Sequence, residues 1–291
     1  MASAPSATIQ VSSTFGPGTV LPDANGSIPD IILMSSDGVF FYCASTVLRA
    51  CSSNQFGRAL TTDPPLVHNA PEQATARLPL IKIEDSSPVL NIILHVAYAI
   101  SFERYGHSLQ MLTHTLNRFP YYGISTTAGN LTFWAAVLRF CPTDPLRVYA
   151  FAAAHAQDAV CVTASEHTLK HGIDGLKERD AIMMGPIYLR RLIFLHCGRR
   201  AALMRIISDP PRTHAPTVYC STGDQAELAR RWAVEVAKLI VQPSPHNMPP
   251  DSLDNAFRDL AQGSPCERCN EYTNSRTADL VKQWREVKRT I

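Results

Sequence analysis

The sequence predicts an α+β protein, with a small sheet and flanking helices in its first half and an all-helical second half. Three observations lead there. Two short apolar runs, Ile31–Met34 and residues 39–42 (VFFY), flank Asp37-Gly38. Asp-Gly between such runs signals a hairpin, because glycine takes positive φ without steric cost. A third run, residues 78–83 (LPLIKI), has strand length. From residue 145 onward, apolar residues recur mainly at helical spacing.

Bulk properties bound the rest. A length of 291 residues suggests two domains, and 45% apolar against 18% charged residues suffices for a sizeable core. The net charge of +2 gives no whole-chain field for nucleic acid or an anionic membrane, so any basic surface is local. No segment reaches the roughly 18 uninterrupted apolar residues of a membrane span. The opening MASAPSATIQVSSTFGPG has no charged start followed by an apolar run, so no secretory signal is expected. The eight cysteines are then expected as reduced thiols or metal ligands in a cytoplasmic or nuclear protein.

Taken in order, residues 1–27 are rich in Ser, Ala, Thr, Pro and Gly and are expected to form a disordered tail. After the hairpin, Val47, Leu48, Cys51 and Phe56 sit at roughly helical spacing, and residues 61–77, with three prolines, form a loop. Ser87 can cap and Pro88 can start a helix over VLNIILHVAYAIS, apolar nearly all round and expected to be buried on several sides, in part by a partner chain. Leu109, Leu112 and Leu116 fit one helix face, and Leu131, Trp134, Ala135 and Leu138 another. Residues 145–157 and 160–171 form a helical pair. Pro186 starts a long helix after a short one over 177–184. Asp224, with Glu227 completing a capping box, starts a helix to about Val241. Leu253, Phe257 and Leu260 mark a short helix, and the last helix begins near Asn274 or Ser275.

Strand, Asp-Gly hairpin, strand, helical pair, third strand and long apolar helix is an order that resembles a BTB/POZ domain. The segment PDIILMSSDGVFFYCASTVLRACSSNQF carries the resemblance through Asp30, Asp37, Gly38, Phe41, Val47, Leu48, Ser52 and Phe56, and IKIEDSSPVLNIILHVAYAI resembles the family's later strand and helix, with Ala97-Tyr98 at its closing pair. IYLRRLIFLH, PPRTHAPTVYC, CERC and QWREVKRTI resemble uncharacterised BTB-domain proteins of mushroom-forming fungi. The resemblance implies a BTB/POZ domain over 28–172, with an insertion around 103–144, and a helical C-terminal domain over 173–291. It implies homodimerisation, with Asp30, Val47, Leu48 and Phe56 in the core or dimer surface, and recruitment of a further protein. A frequent partner in the family is the cullin-type ubiquitin ligase scaffold. The chain departs from the family at Cys43, Ala44 and Ser45, where many members carry Ala-His-Lys/Arg, so Asp30 lacks the basic partner it has there.

For chemistry, Cys266-Glu267-Arg268-Cys269 is the best signal, on a turn favoured by Gly263 and Pro265. With His214 and Cys220 it makes His-x5-Cys…Cys-x2-Cys, a full soft-ligand set for structural zinc. Ordinary reduced loop cysteines remain the alternative, and a redox pair is disfavoured because no βαβ context surrounds it. His167 and His171 stand at i and i+4, but Glu166 precedes the first histidine where the metalloprotease pattern puts Glu after it. No G-x-S-x-G, Walker loop or G-x-G-x-x-G appears, so no catalytic residue is assigned. Cys43, Cys51, Cys141, Cys161 and Cys197 are expected to pack as small apolar groups. Arg190, Arg191, Arg199 and Arg200 form a stripe read first as a solvated face opposite the Leu/Ile stripe, with a surface for an acidic partner or phosphates as the alternative. Three functions follow: an interaction adaptor, a transcription or chromatin regulator that lays the arginine helix on nucleic acid, and a zinc-dependent enzyme, which would need an open metal position that the four-ligand set does not leave.

Overall fold

The computed structural model describes residues 10–18, 26–61, 78–126, 131–262 and 264–291. The expected α+β class is observed: among these residues a small four-stranded mixed sheet accompanies a majority of helix. The chain divides into two compact units, residues 1–140 and 141–291.

In the first unit, β1 (Gln10–Val11), β2 (Ile31–Met34), β3 (Val39–Cys43) and β4 (Leu80–Lys82) lie in the order β1-β3-β2-β4. β2 and β3 form the expected antiparallel hairpin, and β4 and β1 add to its two sides in parallel. At the turn, Gly38 sits at φ 80° and its N–H donates to the Ser35 carbonyl at 3.0 Å. Residues 10–18 belong to this fold and are not part of a tail. Phe15 is fully buried, its ring 6.3 Å from Phe41 and 5.3 Å from Tyr98. Residues 1–9 and 19–25 of the expected tail lie outside the described residues, as do 62–77 of the expected loop.

The two acids of the hairpin segment pin helices. Asp30 accepts from the Ser45 N–H and hydroxyl, both at 2.6 Å, at the start of α1 (Ser45–Cys51). Asp37 accepts from the Ser87 N–H at 2.8 Å and hydroxyl at 2.7 Å, at the start of α2 (Ser87–Ala97). A carboxylate there satisfies orphan amides and meets the positive end of the helix dipole. Ser87 is therefore held by Asp37, and the capping position falls to Ser86. α2 is buried from Val89 to Val96 by its own chain, so its apolar surface needs no partner chain to cover it. α1 is shorter than its apolar spacing suggests. The chain leaves the helix at Ser52, whose hydroxyl accepts from the Phe56 N–H at 2.6 Å and donates to the Tyr122 carbonyl at 2.7 Å. Phe56 then packs its ring 4.6 Å from Tyr122.

α3 (Leu109–Arg118) buries the expected leucines. α4 (Leu131–Leu138) is a correction: it buries Phe133, Trp134, Ala136 and Val137 and leaves Leu131 76% exposed, because the larger rings take the inner face. Asp85 links the sheet to α3 by accepting from Arg118 and from the Tyr122 hydroxyl.

In the second unit, α5 (Pro145–Ala154) and α6 (Asp158–Thr168) form the expected pair. α5 packs on α7 (Glu178–Ser208), so the pair belongs with the second unit and not with the first. His171 lies beyond the end of α6, so His167 and His171 do not share a helix face. α7 is broken at Gly185 (φ 70°, ψ 170°), one residue before Pro186, which is where the sequence places the start of the long helix. α8 (Thr222–Ile240) starts one turn earlier than expected: Ser221 caps it and Asp224 closes the box, leaving Glu227 to pair with Arg230. α9 (Pro250–Gln262) and α10 (Glu267–Glu286) pack together. α10 starts well before Asn274. Its buried stripe runs through Cys269, Thr273 and Thr277, whose hydroxyls donate to the Cys269 and Thr273 carbonyls at 2.8 Å. The core joins Leu203, Ile207, Trp232, Phe257, Leu280 and Trp284, with Trp232 stacked on Phe257 at 4.0 Å. Among the described residues, no helix is long and apolar enough to cross a membrane.

This core holds a histidine pair with a pH consequence. His196, 3% exposed, lies 3.2 Å from His246 and 3.0 Å from the Thr168 hydroxyl. Burial, with His246 and Arg199 beside it, holds His196 at about 4, below its ordinary 6.5. As pH falls from about 6.5 towards about 4, the unfolded chain takes this proton and the native chain does not. The stabilisation is thus complete above 6.5 and is lost as pH falls through that window. We expect the neutral His196 to account for roughly 2 kcal/mol of stability lost over this range. Urea midpoints measured between the two limits should show a steeper fall for the wild type than for His196→Gln.

Candidate metal centre

The site is built where three segments meet. Pro210-Pro211 end α7, and the irregular stretch that follows carries His214. A two-residue turn then closes between Thr217 and Cys220, with paired backbone bonds of 2.9 and 3.2 Å. Cys220 stands immediately before the Ser221 cap of α8. On the other side, Cys266 is the N-cap of α10 and Cys269 lies in its first turn. The CxxC is therefore a helix start and not a free turn, and Gly263 lies outside the described residues.

His214, Cys220, Cys266 and Cys269 come together as the sequence predicts, with one ligand atom from each and all four within 4.8 Å of one another. His214 Nε2 is 3.3 Å from the Sγ atoms of both Cys266 and Cys269, and Cys220 Sγ is 3.7 Å from Cys269 Sγ. A tetrahedral centre with metal–sulfur bonds of about 2.3 Å and a metal–nitrogen bond of about 2.0 Å has edges of roughly 3.5–3.8 Å. The cluster matches that scale and could hold a metal ion. All three cysteines are buried, and His214 is half-buried.

The surroundings prepare the donors. His214 Nδ1 is 2.7 Å from the Ala215 carbonyl, so it carries the hydrogen and Nε2 turns its lone pair to the sulfurs. The His214 backbone is clamped to α8 by Gln225, whose side chain accepts from its N–H and donates to its carbonyl, both at 3.0 Å. Gln225 is buried, and nothing in its sequence context singles it out. The Cys269 backbone amide draws the Cys266 thiol down to about 7, aided by the Cys220, Cys269 and His214 contacts. Burial and the neighbouring sulfurs push Cys269 up to about 12, so Cys266 is the first of the two to ionise. Arg276 closes the open end of α7 by donating to the Ile206 and Asp209 carbonyls, which ties α10 to α7 beside the site.

The other candidate residues are distributed differently. Arg199 is a core residue, 2% exposed, and is corrected from the arginine surface. It lies on the buried face of α7 with Leu192, Leu195 and Leu203, where its guanidinium finds backbone carbonyls. Arg190, Arg191 and Arg200 are exposed. Leu48 and Phe56 are fully buried, Val47 and Asp30 half-buried, and Asp30 is engaged with Ser45. Cys43, Cys141 and Cys161 are buried as expected and Cys51 is half-buried, but Cys197 is exposed because α7 turns it away from the core. Comparison with protein-family models, with curated proteins and with solved structures finds no match to this chain.

Proposed function

We propose that the chain is a non-catalytic protein–protein interaction module of the BTB/POZ type, working in the cytoplasm or nucleus, whose helical second unit is clipped by one structural zinc ion. The observation that carries the interaction reading is the build of the first unit. An Asp-Gly hairpin, then a helix, a strand parallel to the first hairpin strand and an apolar helix buried from Val89 to Val96 support it, matching the order of the family it resembles except that one short helix, not a pair, is described before the third strand. The zinc reading rests on donor chemistry. Three sulfurs and one imidazole are a soft set suited to zinc. Four protein ligands fill a tetrahedral shell and leave no position for a substrate, which is the pattern of a structural site and speaks against the zinc-enzyme reading. The nucleic-acid reading loses support because Arg199 is buried, which interrupts the expected basic stripe.

The adaptor reading is tested by mixing the full-length chain with purified cullin scaffold and following mass by light scattering. We expect a stable complex, and a mass of two chains for the protein alone. No complex at roughly tens of micromolar, with a folded input, would remove the ligase-adaptor version.

A further inference from the structure

The outward face of α7 is unlike the rest of the helical unit. Beyond the Gly185 break, the helix buries Leu192, Leu195, Leu203 and Ile207. Its opposite face leaves Ile187 65% and Phe194 61% exposed. These two stand seven residues apart, two turns of helix on one side. Two depressions flank Phe194, of about 460 Å³ and about 340 Å³. They share Arg191 and Phe194, so together they form one groove, running from Pro186 to Gly198 and bounded at its far end by Val287 and Ile291.

The charged residues that α7 gives to this groove are all basic. From Ala181 to Ser208 there is no Asp or Glu, whereas Arg190, Arg191, Arg200 and Arg205 are exposed. Among the described residues, no carboxylate pairs with Arg190, whose guanidinium lies 5.0 Å over the Phe194 ring. Arg191 meets Asp158 at 2.9 Å, an exposed pair that an incoming carboxylate can replace at little cost. Lys288 lines the opposite wall, its ammonium donating to the Ile291 carbonyl at 2.7 Å with two further hydrogens to offer.

We propose that this groove docks an acidic amphipathic helix of a partner protein. The proposal rests on the interaction-module reading and gives it a site. Apolar residues at i, i+3 or i+4 and i+7 of the partner would cover Ile187 and Phe194, and flanking Asp or Glu would meet Arg190, Arg191 and Lys288. A second copy of this chain fits poorly, since a two-fold contact through this face sets Arg190 and Arg191 against themselves. Nucleic acid would satisfy the arginines and leave Phe194 and Ile187 uncovered.

The test is selection of a displayed random peptide library on the full-length chain. Enriched peptides should carry Asp or Glu beside apolar residues at helical spacing. A synthetic copy should bind at roughly micromolar affinity. Arg190→Glu and Phe194→Ala should each weaken it about tenfold or more, while Arg200→Glu leaves it unchanged. Circular dichroism should be the same for all variants, because the replaced side chains are exposed. The groove is overturned if no peptide is enriched, if enriched peptides show no acidic bias, or if they bind Arg190→Glu and Phe194→Ala as tightly as the wild type. In the last case the module binds elsewhere and the interaction reading survives. Binding of duplex DNA or phosphatidylserine vesicles that Arg190→Glu abolishes would reassign the groove and overturn the peptide proposal, as would a two-chain mass that Phe194→Asp halves. The cullin assay judges the adaptor reading separately.

Discussion

The Cys269→Ser chain should lose its metal and melt roughly 10 °C or more below the wild type. Cys269 is the hub of the cluster, touching Cys220 Sγ at 3.7 Å and His214 Nε2 at 3.3 Å from the first turn of α10. Its loss removes both of these contacts between the stretch linking α7 to α8 and the start of α10, leaving Cys266 Sγ at 3.3 Å from His214 Nε2. A structural zinc contributes on the order of 10–16 kcal/mol in small zinc-dependent peptides, comparable with the whole stability of a domain. Here the packing of Trp232, Phe257, Leu280 and Trp284 remains without the metal, so the loss is set at roughly 3–5 kcal/mol, with the segments around 209–221 and 264–270 opening first. Thermal melting followed by circular dichroism, with limited proteolysis to locate the opening, reads both effects. Cys197→Ser, on the exposed side of α7, should leave the midpoint within the error of the measurement.

Arg199→Ala should cost nearly as much, about 3–5 kcal/mol, for a different reason. The guanidinium donates to the His246 carbonyl at 2.7 Å, the Val287 carbonyl at 2.8 Å and the Lys288 carbonyl at 3.0 Å. It also lies 4.3 Å over the Trp284 ring. One side chain thus holds α7 to the turn at Pro245–Asn247 and to the segment after α10. Burial draws it down to about 10, which still leaves it charged at neutral pH. Alanine leaves three carbonyls without their donor, the His246 carbonyl buried and the other two part-buried, and opens a cavity against Trp284. Arg199→Lys should recover less than half of the loss, because a point charge cannot reproduce a planar fork across three acceptors. Urea unfolding with an unchanged slope and a lower midpoint is the expected reading.

These two residues also mark what can be read from a sequence. The metal cluster was legible because its ligands are rare residue types whose spacing is itself the signal. The hairpin was legible from Asp37-Gly38, and the start of the long helix from Pro186. Arg199 was not, because a guanidinium satisfied by carbonyls 47 to 89 residues away leaves no local trace. The early start of α10 was hidden because Thr273 and Thr277 occupy core positions, their hydroxyls satisfied by the preceding turn. β1 was missed because two residues pairing in parallel with β3, anchored by Phe15, carry no periodicity of their own. The cap of α8 was displaced by one turn because Ser221 and Asp224 are both capping types, and only the geometry shows which caps.

The most direct test of the zinc-clipped module is the metal content of the full-length chain, purified without added metal and weighed intact under native conditions. One zinc ion per chain is expected, absent from Cys266→Ser and Cys269→Ser, with a melting midpoint that falls when a strong chelator removes the metal. A metal-free wild-type chain whose midpoint is indifferent to both zinc and chelator would contradict it, and would make the four residues a cluster of reduced side chains packed at the edge of the helical core.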